Sequence, residues 1–131
     1  MKAAILVFLV IAVGCLWWRM KTDGFCGDLS MDNTAKFFVT ESMKPALTKY
    51  RDSVGHFPSS EEGIAALLHA PQATEQRWHG PYIEGERVPR DPWGREYQYR
   101  SPALKSTLGY DLWSLGPDGV PSADDIGNWT K

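Results

Sequence analysis

Cysteine is scarce in this chain: Cys15 and Cys26 are the two in 131 residues. Two cysteines make no disulfide framework, and their spacing is not that of a zinc site. Cys15 lies in an N-terminal apolar run and Cys26 in a glycine-flanked polar stretch, which leaves the redox compartment open. Positive charge is not in excess either. A formal net charge of −2 excludes the basic footprint that nucleic-acid binding requires. Catalytic signatures are missing as well. No nucleophile elbow is present, and His56, His69 and His79 are scattered over a turn, a helix end and a loop rather than set at ligand spacing. The chain has no internal repeat and no low-complexity tract, and its length accommodates one domain with one core.

Aromatic and turn-forming residues are plentiful instead: six tryptophans and five tyrosines stand beside 12 glycines and nine prolines. This mixture describes a compact, turn-rich domain pinned by a few large side chains. Trp93, Trp113 and Trp129 are expected to fill the core, whereas Trp78 with Tyr82 is a candidate for an exposed contact patch. An apolar content of 43% is far above that of a solvated disordered chain.

From Ala3 to Trp18 the chain is uncharged and almost wholly apolar, with Lys2 before it and Arg19 and Lys21 after it. About 16 helical residues span roughly 24 Å, short of the ~30 Å hydrocarbon core. Trp17 and Trp18 at the headgroup level, with snorkelling basic residues, would extend that span. Residues 1–18 are therefore expected to be an uncleaved signal anchor or a signal peptide. Ala12-Val13-Gly14-Cys15 is also a relaxed lipobox, so lipidation at Cys15 stays open. Each alternative delivers the rest of the chain across a membrane.

Residues 19–33 read as a polar linker, and Asp32 or Asn33 is the expected cap of a helix. Ala35, Phe38, Val39, Ser42, Ala46, Leu47 and Tyr50 form one apolar stripe of helical period, which Pro45 should kink or split. The helix should end in the turn Asp52-Ser53-Val54-Gly55. A second helix is expected after Pro58, where Ser59 and Glu62 form a capping box ahead of Ile64, Leu67 and Leu68; Pro71 stops it. Asp91-Pro92-Trp93-Gly94 fits a type I turn. It feeds a period-two strand over residues 96–100, with Tyr97 and Tyr99 on one face, and a second strand is expected over 110–115. Helices followed by a small antiparallel sheet give an α+β fold.

The tail carries the chemistry. Beyond the strand-like run to Leu115, Gly116 and Gly119 punctuate a loop containing Asp118, Asp124 and Asp125. Clustered carboxylates repel unless a hard cation neutralises them, and oxygen-only donors on a flexible loop suit Ca²⁺ better than Zn²⁺ or Mg²⁺. The bland alternative is a solvated acidic turn, because aspartate is common in turns for local hydrogen bonding. EF-hand spacing is absent. A metal-dependent hydrolase is the weakest reading, with no general base or open ligand set in view.

Six blocks, in order, resemble the G-type (major) pseudopilin family of the bacterial type II secretion system. They are Ala46-Leu47 with Tyr50-Arg51; Gly55-His56-Phe57-Pro58; residues 62–67; Trp78-His79-Gly80-Pro81-Tyr82-Ile83; residues 88–99; and residues 110–118 with Asp124-Asp125-Ile126-Gly127-Asn128-Trp129. The resemblance covers most of 34–131. It implies a pilin-like α+β fold, a helical spine on a small antiparallel sheet with a C-terminal calcium loop, and no enzymatic activity. It further implies carboxylate ligands at Asp118, Asp124 and Asp125, with a carbonyl ligand at Leu115. Sister pseudopilins or other secretion-system subunits are the implied partners, with the N-terminus in the bacterial inner membrane and the domain in the periplasm. One feature departs from the family pattern: no Gly-Phe-Thr-Leu-x-Glu-like site precedes the apolar run, and Gly24-Phe25 follows it. A fibre subunit, an accessory subunit, and a pilin-like module on a membrane or lipid anchor therefore all stay open.

Overall fold

The structure, a computed structural model, describes residues 30–130. The apolar run, both cysteines and residues 19–29 of the expected linker lie outside the described residues, while Met31–Asn33, also expected as linker, belong to the first helix. Among those described, no helix is long and apolar enough to cross a membrane.

Helix α1 spans Met31–Phe37, and its cap is Ser30, whose Oγ accepts the Asn33 N–H at 3.2 Å. This corrects the expected cap at Asp32 or Asn33. Asp32 sits instead in the first turn, where its charge complements the helix dipole. Phe38–Ser42 then widen into a π turn, with the Met43 N–H donating to the Phe38 carbonyl at 3.2 Å. A π turn inserts one residue into the helical count. The stripe therefore advances by one position: Met43 is buried and Ser42, expected inside, faces solvent. Helix α2, Lys44–Val54, follows with Pro45 in its first turn, where a missing N–H costs nothing. The expected split at Pro45 is thus observed. Gly55, at φ 100°, closes the helix by donating to the Arg51 carbonyl at 2.7 Å.

The capping box forms as expected. Ser59 N–H donates to Glu62 Oε2 at 2.8 Å, and Glu62 N–H donates to Ser59 Oγ at 3.2 Å. The element after it is a 3₁₀ helix, Gly63–Leu67, rather than a longer α-helix. Gly63 at φ 58° breaks the helical run just behind the box. Ile64, Ala66 and Leu67 are buried all the same.

Strands β1 (Gln98–Arg100), β2 (Asp111–Ser114) and β3 (Ile126–Gly127) form one antiparallel sheet in that order. Tyr99 faces Leu112 across β1 and β2, and Trp113 faces Gly127 across β2 and β3. The core lies between sheet and helices. Val39, Met43, Leu47 and Tyr50 meet Leu67, Tyr97 and Leu112, and Phe38 stacks on Tyr97 with ring centroids 4.1 Å apart. Each fully buried Leu or Val adds about 1.5–3 kcal/mol, so this seam supplies most of the cohesion.

The tryptophans depart from their expected places: Trp78, Trp93, Trp113 and Trp129 are all half-buried. Trp113 and Trp129 sit 5.7 Å apart, with Arg100 5.5 Å from the Trp113 ring and Lys105 4.4 Å from Trp129. Neighbours along a strand point to opposite faces. With Leu112 in the core, Trp113 covers the far side of the sheet. Trp93 is half-buried beside the Arg95 guanidinium. Trp78, by contrast, packs against the core with Tyr82, and its indole N–H donates to the Ala66 carbonyl at 2.8 Å.

Candidate functional site: the C-terminal loop and its neck

The loop leaves β2 at Ser114 and returns to β3 at Ile126. Its neck is fixed by the Asp91-Pro92-Trp93-Gly94 turn, which forms as expected with Gly94 N–H on the Asp91 carbonyl at 2.8 Å. Asp91 is buried. Its Oδ1 accepts the main-chain N–H groups of Trp93 (3.1 Å) and Arg95 (2.8 Å), while Oδ2 accepts the Ser114 hydroxyl at 2.7 Å. Ser114 Oγ in turn accepts the Gly116 N–H at 3.2 Å. One carboxylate thereby ties an upstream turn to the root of the loop. Burial first, and then the Asp91 charge, push the Tyr97 phenol up to about 12.

Across the neck, Gly116 at φ 68° lies against the returning chain. A Cβ there would meet the Asp124 carbonyl at 2.9 Å and Asp124 Oδ2 at 3.3 Å. Only glycine allows that approach. Asp124 also accepts the Ser122 hydroxyl, Asp125 Oδ1 accepts the Ser122 N–H at 3.2 Å, and Asp118 Oδ1 accepts the Val120 N–H at 3.1 Å. Leu115 is half-buried between Ser114 and Gly116. The structure thus brings Asp124 to the neck, while Asp118 holds the turn at the tip. Among the described residues no three Asp, Glu, His or Cys side chains gather as a metal cluster. In kind, the donors fit a hard divalent cation: carboxylates and carbonyls, with no cysteine or histidine in residues 115–125. The loop borders the start of α1 across a groove of about 400 Å³ lined by Asp32, Lys36, Pro117, Asp124, Ile126 and Thr130.

The most tightly held carboxylate is Asp111, which sequence reasoning left unassigned. It is 0% exposed. Arg100 Nη2 donates to it at 2.7 Å, and the N–H groups of Leu104 (2.8 Å), Ser106 (2.8 Å) and Lys105 (3.1 Å) converge on it. Burial alone would raise its pKa, but the Arg100 bond and the three N–H groups outweigh burial and hold it at about 2. It fastens the 101–109 loop to β2. Asn128 adds the last stitch, donating from Nδ2 to the Tyr110 carbonyl at 3.0 Å and accepting the Leu112 N–H at 3.3 Å. The sequence offers only its place in an otherwise apolar strand; the Arg100 opposite it comes from the sheet register.

A sequence profile of the family described as "Type II secretion system (T2SS), protein G" matches residues 27–129. The chain belongs to that family. Among relatives, "Type II secretion system core protein G" of Klebsiella pneumoniae is 44% identical over 93 residues, covering 68% of this chain and 64% of the relative. The protein of that name from Pseudomonas aeruginosa is 35% identical over 112 residues, with 77% and 76% covered. The chain spans a little under two thirds of the length of the Klebsiella relative. The crystal structure of the major pseudopilin from the type 2 secretion system of enterohaemorrhagic Escherichia coli superposes with a TM-score of 0.67 at 34% identity. That superposition covers 78% of this chain and 85% of the other. The pilin-like arrangement of helix on small antiparallel sheet is therefore the fold of this family.

Proposed function

We propose that this chain is a structural, pilin-like subunit of type II protein secretion. In this reading residues 1–18 hold it in the bacterial inner membrane, 19–29 link, and the periplasmic domain begins at the Ser30 cap of α1. Its partners are sister pseudopilins or other secretion-system subunits, and its work is mechanical rather than enzymatic. The observation that carries the reading is the family match along 27–129 joined to the pilin-like fold. We further propose that the C-terminal loop binds Ca²⁺ through Asp118, Asp124, Asp125 and the Leu115 carbonyl. Bound calcium would supply the positive charge that relieves repulsion among those carboxylates. Asp91, Ser114 and Gly116 hold the loop's root in place for it.

Deleting the gene in its host should stop type II cargo from reaching the medium. The wild-type gene should restore release, and an Asp118→Ala/Asp124→Ala version should restore much less. Undiminished secretion after deletion would contradict the role. A second reading, a pilin-like binding module on a lipid anchor outside any fibre, is favoured by Ala12-Val13-Gly14-Cys15. Mass spectrometry of the mature N-terminus separates the two, because diacylated Cys15 belongs to the second.

A further inference from the structure

Arg95 places a guanidinium inside the neck of the loop. Its main chain is fixed by Asp91 Oδ1, at 2.8 Å from the Arg95 nitrogen. From that anchor the side chain, 34% exposed, reaches 21 residues along the sequence, where Nη2 donates to the Gly116 carbonyl. Nη1 lies against Gly119: a Cβ there would come within 2.9 Å of it. On the other side Nε stands 3.9 Å from Asp91 Oδ2. One cation therefore touches the root and the tip turn of the loop and is backed by a buried carboxylate. The neck has two further contacts, Gly116 N–H on Ser114 Oγ at 3.2 Å and Gly116 against the Asp124 carbonyl.

We propose that Arg95 is a built-in cation that keeps the loop neck closed without metal, so that Leu115 and Asp124 are already held at the neck and metal draws Asp118 towards them, ordering the tip, residues 117–123. The metal half of this statement rests on the calcium reading above; the neck half does not. A guanidinium does this better than an ammonium, because its planar fork offers several donors in fixed directions while lysine offers a point charge.

Hydrogen exchange of the full chain, in chelator and in millimolar calcium, tests it. In chelator the wild-type Gly116 amide should exchange slowly. Arg95→Met, which keeps the apolar stem, should speed it by roughly ten- to a hundredfold, the effect of losing a charged hydrogen bond. Arg95→Lys should recover part of that protection, and amides of α2 should be unchanged in both variants. Calcium should slow exchange over residues 117–123 in wild type and in Arg95→Met. Wild-type exchange at Gly116 in Arg95→Met would overturn the neck half. No calcium effect in either protein would overturn the tip half and leave the neck result standing. Gly119→Ala supplies an independent check: it strains the φ 72° turn in any background, but meets the guanidinium only when Arg95 is present. Its effect on neck exchange should therefore shrink in Arg95→Met, and equal effects in both backgrounds would overturn the contact.

Discussion

At neutral pH the Asp111 carboxylate collects four charged or main-chain donors in a site closed to water. Its folded pKa of about 2, against 3.8 for the free side chain, is depressed, so it contributes stability above the unfolded value. The difference amounts to about 2 kcal/mol. That contribution should be lost as pH falls from about 5 through 2, and acid melts of wild type should show the loss. Asp111→Asn should flatten the acid limb and lower stability at pH 7 by at least that amount, since Arg100 is left half-buried without its partner. An unchanged acid limb would contradict this. Little of this site was legible from sequence. Asp111, Asp91 and Ser114 look like ordinary polar residues until the sheet brings distant partners to them. Gly116 and the Asp91 turn were legible, because turn chemistry is local.

Among the elements, the π turn at Phe38–Ser42 decides which side chains enter the core. Deleting one residue, Thr40, should restore a continuous α-helix and rotate everything beyond it by about 100°. Met43, Leu47 and Tyr50 would leave the sheet, and the domain should fail to melt cooperatively. A cooperative transition near the wild-type temperature would show that the turn has no such role. Leu47→Ala, which leaves the backbone alone, should cost about 2–5 kcal/mol in denaturant melts. Periodicity places the stripe on either side of the turn but cannot announce the extra residue between. This is why Ser42 reads as buried and Met43 does not. Strand β3 was invisible for another reason: two residues carry no alternation, and only pairing with Trp113 and Ser114 makes them a strand. The capping box and Gly55 were legible, because each is a contact between near neighbours.

At the scale of the whole molecule, a helical layer and a three-stranded sheet enclose one core, and the chain closes with an acidic loop bordering the start of α1. The tryptophans show how this scale overrides composition. Large aromatic rings can be expected inside, yet Trp113 and Trp129 lie with Arg100 and Lys105 on the face of the sheet opposite Leu112. If calcium locks the loop, free metal at a hundred times its dissociation constant adds about 2.7 kcal/mol. For a domain of this size that is a rise in Tm of roughly 10–20 °C. The most direct measurement is the thermal melt of the full chain, in mild detergent, with millimolar calcium and with chelator, for wild type and Asp118→Ala. A large calcium-dependent rise in wild type that vanishes in Asp118→Ala, with the two proteins alike in chelator, is the predicted result. Superimposable wild-type melts in the two buffers would contradict it.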